Sequence, residues 1–174
     1  MNVLVRPATA ADLPATLSIY NEDIPTTTST WRETPQTLAE REEWFSARSA
    51  RGFPTLVAEL SGAVVGVAAF GDFRDSVRWT GYRFAVEHSV HVTESCWGKG
   101  IGRKLMDALF DAARERNVHA MIGGIDGANV RSLAFHERLG FREVARMPEV
   151  GFKFGRWCDL VLVERLMDAP GAPR

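Results

Sequence analysis

Between a β-type segment ending at Val92 and an amphipathic helical pattern opening at Ile101, the chain carries three glycines at alternate positions, Gly98, Gly100 and Gly102. Such a junction requires a strand that breaks in a tight turn and releases directly into a helix. Alternate glycines keep side chains away and let backbone N–H groups converge on a ligand, where the helix presents its unpaired amides and positive dipole end. The stretch from Ser89 to Arg103 therefore reads as an anion cradle, with phosphate its natural guest. A Walker loop requires Ser or Thr after Gly-Lys, whereas Gly100 follows Lys99; a dinucleotide fingerprint needs its third glycine three places after the second. Neither pattern fits.

Bulk properties narrow the setting. The chain has 174 residues, enough for one domain with its own core; residues 1–168 are expected to form it and 169–174 a short tail. Two cysteines, Cys96 and Cys158, make no disulfide framework, and no Cys/His spacing suggests a metal. A reducing cytoplasm is the simplest location. No N-terminal signal pattern and no apolar run of ~18 residues points to export or a membrane span. A formal net charge of −1 with mixed signs argues against nucleic acid as partner.

Periodicity orders the elements. Asn2–Arg6 alternates as a strand, and Thr9-Ala10-Ala11-Asp12 resembles a capping box opening a helix through Tyr20. The threonine-rich segment Asn21–Arg32 lacks a period, and Trp31 within it suits a core or a pocket wall equally. Thr34-Pro35 offers an N-cap and first-turn proline for a helix to Gly52. Leu56–Leu60 and Val64–Phe70 flank Ser61-Gly62 as a hairpin, and Gly71–Tyr82 is a long polar and aromatic connection of the kind that carries function. In the strand Arg83–Val92, Glu87, Ser89 and His91 share one face, His88, Val90 and Val92 the other. After the glycine helix come a buried strand Ala120–Ile125, a helix begun by Asn129 or nearby residues and stopped by Gly140, strands Phe141–Met147 and Asp159–Met167, and a glycine- and aromatic-rich loop Val150–Trp157. This interleaving predicts an α/β fold with a mixed sheet.

Two motifs resemble a known superfamily. Trp97-Gly98-Lys99-Gly100-Ile101-Gly102 is similar to the Arg/Gln-x-x-Gly-x-Gly/Ala acyl-CoA loop of the GNAT N-acetyltransferases, with Trp97 replacing Arg or Gln. Asn129 through Phe141 resembles the Asn-x-x-Ala/Ser-x-x-x-Tyr-x-x-x-Gly-Phe segment, with His136 in the tyrosine position. Val86–Val90, His136 and Gly151–Trp157 followed by Asp159 further resemble the phosphinothricin and methionine sulfoximine acetyltransferases. The resemblance implies a central, mostly antiparallel sheet with helices on both faces, acetyl-CoA as co-substrate without a metal, a small amino acid or analogue as acceptor, and a homodimer completing the site. Carried over by position, Val90, His91 and Val92 flank the pantetheine and thioester, His91 standing where tyrosine is usual. Gly98, Lys99, Gly100, Ile101, Gly102 and Arg103 hold the diphosphate, and Asn129 bonds the cofactor arm. Lys99 and Arg103 serve equally well as solvated helix-end cations. Trp31, Arg74, Glu87, His88 and Ser89 fall at substrate positions, with Arg78 and Arg83 as alternative guanidinium donors because the loop is longer here.

Chemistry gives these identities a reason. An α-amine arrives as ammonium, so a base must take a proton before nitrogen attacks a thioester, and the departing thiolate needs an acid. Glu87 is the expected base and His136 the expected acid or auxiliary base. Glu87 paired to Arg83, and His136 as a cap or core residue, are the structural alternatives. Two other functions share these motifs: a protein-acetylating enzyme and a non-catalytic acyl-CoA sensor.

Overall fold

The computed structural model describes residues 2–167; the expected tail at 169–174 lies outside the described residues. Seven strands form one sheet: β1 (Val3–Pro7), β2 (Thr55–Leu60), β3 (Ala63–Asp72), β4 (Ala85–Val92), β5 (Ala120–Asp126), β6 (Arg142–Lys153) and β7 (Arg156–Leu166), in the order β1-β2-β3-β4-β5-β7-β6. Every neighbouring pair is antiparallel except β4 with β5. Four α-helices flank it: α1 (Leu13–Asp23), α2 (Leu38–Ala50), α3 (Ile101–Glu115) and α4 (Val130–Arg138).

Strand alternation decides which helices cover which face. Val57, Val67 and His91 are in register and meet α1 through Ile19, Tyr20 and Asp23, with α2 packed beside α1. On the other face Leu56, Ala68, Phe70 and Val86 join Leu105, Met106, Leu109 and Phe110 of α3 in the main core. Each of these large side chains contributes roughly 1.5–3 kcal/mol when fully buried. The expected mixed, mostly antiparallel sheet with helices on both faces is what forms.

Local chemistry sets most boundaries. The Thr9/Asp12 capping box is present, and the β2–β3 turn places Ser61 and Gly62 at φ 52° and 83°, as a two-residue type I′ hairpin demands. Two expectations are corrected. α2 does not begin at Thr34-Pro35: Thr37 accepts from the Glu40 amide while Glu40 reaches back to Thr37, so a reciprocal capping box three residues further on wins. Val150–Trp157 is not a loop either. It is the end of β6 and the start of β7, joined by Phe154 and Gly155 at φ 53° and 72°. Its two glycines serve different ends, since Gly155 makes the turn while Gly151 leaves room for the Trp31 indole, which occupies the space a Cβ would take. Trp31 therefore packs on the sheet. Lys153, buried beside it, donates to the carbonyls of Thr27 and Thr30 at 2.8 and 2.6 Å and pins the threonine-rich segment to the hairpin.

Candidate active site

The site arises where the sheet opens. The parallel pair β4–β5 is in register only at Ala85↔Ala120, Val86↔Met121 and Glu87↔Ile122, although β4 runs on to Val92 and β5 to Asp126. Beyond Glu87 the strands diverge, and a cavity of about 500 Å³ fills the gap. That is the size of a cofactor or drug-sized ligand pocket.

Of the residues expected at the site, Ser89, Val90, His91, Val92, Gly98, Gly100, Ile101, Gly102, Arg103, Asn129, His88 and His136 line this cavity. Gly98 and Gly100 adopt φ 74° and 78°, and the space beside each is open. Gly100 is the N-cap of α3 and supplies no side chain to its first amides, which are left for a ligand. Gly102 acts differently, because the Phe135 ring of α4 lies 3.3 Å from where its Cβ would stand, so it sets the approach of the two helices. Asn129 caps α4, its side-chain carbonyl accepting from the Ser132 amide at 3.0 Å, which leaves its NH2 group to donate elsewhere.

The cations behave individually. Lys99 turns back and donates to the Ser95 carbonyl at 2.8 Å, outside the cavity lining. Arg103 lines the cavity while pairing with Asp107 one turn along α3. Arg131, which the sequence did not single out, lies flat on the Trp97 ring, 3.4 Å from its centroid. Trp97 is itself fixed by its Nε1–H to the Val92 carbonyl at 2.6 Å. Thus the loop position where Arg or Gln is usual holds an indole that seats a guanidinium from α4 at the cavity wall.

Around Glu87 the picture differs. Glu87, Ser89 and His91 point to the α1/α2 face, and the Glu87 carboxylate lies over Gly124, 3.5 Å from the position a Cβ there would take. Desolvation raises its pKa above the usual carboxylate value, and the Arg48 guanidinium opposes that rise. Arg83, the structural partner considered from sequence, instead donates to the Thr80 carbonyl and stacks on Phe84. Arg48, a residue missed from the sequence, projects from α2 beside Gly71, stacks on Trp44 at 4.1 Å, and has a buried Nε with no hydrogen-bond partner. Its only sequence signal was helical spacing from Arg41, which stacks on the same indole at 4.3 Å. Arg74 sits over Phe73 and Tyr82, and Arg78 over Trp79, all in the loop after β3.

His88 faces away from Glu87 and Ser89. Its ring is buried on the α3/α4 side, with Nδ1 2.8 Å from the Ile122 carbonyl and Nε2 3.0 Å from His136 Nε2. His91 sits 2.9 Å from the Asp23 carboxylate with Tyr20 edge-on. Among the described residues no group of three or more His, Cys, Asp or Glu is arranged for a metal, and no helix is long and apolar enough to cross a membrane.

This arrangement has relatives. Residues 16–141 match the Acetyltransferase (GNAT) family. The chain belongs to that family. It is 44% identical over 169 residues to the L-methionine sulfoximine/L-methionine sulfone acetyltransferase of Pseudomonas aeruginosa, covering 97% of this chain and 96% of that one. Among solved structures, the Sinorhizobium meliloti GNAT-superfamily phosphinothricin acetyltransferase in complex with acetyl-CoA superposes with a TM-score of 0.92 at 36% identity, covering 99% and 93% of the two chains. The ribosomal-protein-alanine N-acetyltransferase of Brucella melitensis superposes with a TM-score of 0.90 at 45% identity, covering 94% and 99%. The chain is thus a GNAT N-acetyltransferase.

Proposed function

We propose that this enzyme transfers acetyl from acetyl-CoA to the α-amine of a small free amino acid or analogue, of the methionine sulfoximine, methionine sulfone or phosphinothricin type. The observation that carries this reading is the placement of Glu87 at the point where β4 and β5 part, outside the cavity lining but with its carboxylate over Gly124, which lines the cavity together with the glycine cradle. A base with a raised pKa therefore borders the gap a thioester must enter.

The residues fit acetyl-CoA. Gly98 and Gly100, in left-handed conformation with open space beside them, and the uncapped amides of α3 suit its diphosphate; Arg103 and Arg131 line the same cavity. Val90, His91 and Val92 bring the edge of β4 alongside the acyl end. Bound there, the co-substrate supplies the activated acetyl group. Glu87 takes a proton from the substrate ammonium, and His136, in the cavity wall, delivers one to the departing sulfur. Arg48, with its partnerless Nε, and Arg74 are the guanidinium donors nearest in character to a carboxylate clamp.

The likeness to the Brucella melitensis enzyme supports a second reading, acetylation of a protein α-amine. A homodimer in the cytoplasm accompanies the first, supported by exposed Val150, Phe152, Phe154 and Trp157 on the β6–β7 hairpin. Amino acids, their sulfone, sulfoximine and phosphinate analogues, and peptides beginning with alanine are to be compared by CoA release. The proposal requires the free analogues to lead; faster acetylation of the peptides replaces it with the second reading.

A further inference from the structure

The His88–His136 contact carries more than packing. His88 Nδ1 lies 2.8 Å from the Ile122 carbonyl and His136 Nδ1 lies 2.8 Å from the Ser132 carbonyl. A carbonyl oxygen only accepts, so both Nδ1 atoms must carry hydrogen. Each ring then has its Nε2 as the remaining nitrogen, and these two face one another at 3.0 Å. If both rings were neutral, two lone pairs would meet at hydrogen-bond distance. Moving one ring to its other tautomer relieves that clash only by turning an Nδ1 lone pair onto a carbonyl 2.8 Å away. The Ser132 hydroxyl, 3.4 Å from His136 Nδ1, could offer that nitrogen only a long, weak hydrogen bond, which does not remove the Ser132 carbonyl from 2.8 Å.

We propose that the pair holds one proton between the two Nε2 atoms, an imidazole–imidazolium bridge, and that His88 is a positioning residue that keeps this proton at His136 for delivery to sulfur. The delivery step rests on the function proposed above; the shared proton does not.

The surroundings oppose charge on either ring, and a second charge more than a first. The pair is enclosed by Phe141, Phe135 and Gly123, with ring centroids of Phe141 5.0 and 5.3 Å from those of His88 and His136. Behind Phe141, Phe110 of α3 packs under the Arg165 guanidinium of β7. Glu87 extends to the opposite face of β4. The charged cavity residues Asp23, Asp126, Arg103, Arg131 and Arg138 form no hydrogen bond with either ring, and His91 pairs with Asp23. Burial disfavours the charged form of both rings, pushing His88 down to about 3, so the doubly protonated pair does not form. A single proton is retained because it satisfies all four ring nitrogens at once, in a charge-assisted N–H···N bond.

Proton accounting closes. The substrate ammonium loses one proton to Glu87, its nitrogen bonds to the acetyl carbon, and the C–S bond breaks with its electron pair on sulfur. The pair gives its proton to that sulfur, nitrogen sheds a second proton as the amide forms, and the pair is recharged from solvent. Two protons leave nitrogen, one ends on sulfur, and one is released.

The test begins with ligand-free protein labelled with 15N-histidine, its rings assigned with His88→Gln and His136→Asn. At pH 7 both Nδ1 atoms should be protonated and both Nε2 resonances should fall between the values for bare and protonated nitrogen. An Nδ1 without hydrogen in either ring overturns the proposal, whatever the enzyme acetylates. In kinetics, His88→Gln can still donate to His136 Nε2 but holds no transferable proton. Its kcat should fall roughly tenfold or more, with the acetyl-CoA KM within about twofold of wild type and the alkaline limb of the kcat–pH profile displaced. A wild-type kcat and profile overturns the positioning role. If the wild-type enzyme acetylates none of the amines tried, the function reading fails, and the NMR experiment alone decides the shared proton.

Discussion

Replacing Gly100 with valine tests the cradle, because its cost to the fold and its cost to binding separate. Gly100 sits at φ 78° with nothing within 4 Å of the position its Cβ would take, so a side chain meets no protein atom. The penalty to the fold is backbone strain, about 1–2 kcal/mol for a non-glycine residue in the left-handed region. For a chain of this size each kcal/mol lowers Tm by about 2–4 °C, so a loss of roughly 2–8 °C is expected. Acetyl-CoA at a hundred times Kd stabilises the wild type by about 2.7 kcal/mol, or roughly 5–11 °C. In Gly100→Val the isopropyl group stands in the open space proposed for the diphosphate, and that ligand-dependent rise should vanish. Gly62→Val is the matched control: φ 83°, again nothing within 4 Å, but in the β2–β3 turn. It should lose similar stability and keep the full acetyl-CoA response in differential scanning fluorimetry. If Gly100→Val folds and keeps that response, the proposed diphosphate site is wrong.

Glu87→Gln should lower kcat roughly 10²-fold with little change in acetyl-CoA affinity; in the wild type the acid limb of the rate profile should lie above the ordinary carboxylate value, since desolvation raises the Glu87 pKa and the deprotonated form is the active one, and the variant should lose that limb. Arg48→Gln should raise KM for the amino-acid analogue roughly tenfold or more while leaving acetyl-CoA binding intact; an unchanged preference for carboxylate-bearing over decarboxylated substrates would assign the clamp to Arg74 instead. Stability should fall as pH drops below ~6.5, the unfolded histidine value, toward the about 3 of folded His88. There the unfolded state binds the proton and the folded state does not, so stability rises with pH by ~1.4 kcal/mol per unit for each proton by which the states differ. One such proton is expected for the bridged pair, and urea titrations across pH 4–7 measure it. Gly151→Ala should expel the Trp31 indole, read as a red-shifted tryptophan emission.

The sheet, the glycine turn and the Asn129 cap were legible because each depends on near neighbours in sequence: alternation, left-handed backbone at glycine, a side-chain oxygen three residues from an amide. The partners of Glu87 and Trp31 were not. Arg48 comes from a helix whose periodicity says only that one side is buried, and its proximity to Glu87 depends on how α2 lies across the sheet. Trp31 reaches Gly151 across 120 residues of chain, so nothing local shows that its irregular segment packs on the β6–β7 hairpin or that Gly151 makes room for an indole. Thr34-Pro35 misled for the opposite reason: it satisfies the rules for a helix start, and so, more completely, does Thr37 with Glu40. The histidine pair shows the same limit, since β4 alternation put His88 on the far face from Glu87 but gave no hint that His136 waits there.

The short register between β4 and β5 bears on how the molecule deforms. The sheet is two ladders, β1 to β4 and β5 with β7 and β6, meeting at three register pairs at one corner. α3 packs on β1 to β4 and reaches the second ladder through Phe110, which meets Phe141 and the Arg165 guanidinium of β7. A scissor-like rotation about that corner stretches few hydrogen bonds, whereas bending either ladder would break many. Within the sheet, the mode that costs fewest hydrogen bonds should therefore be a change in the angle of the cleft itself. Any molecule that bridges the two blades stiffens the whole body, in the way a splint across a hinge immobilises both arms.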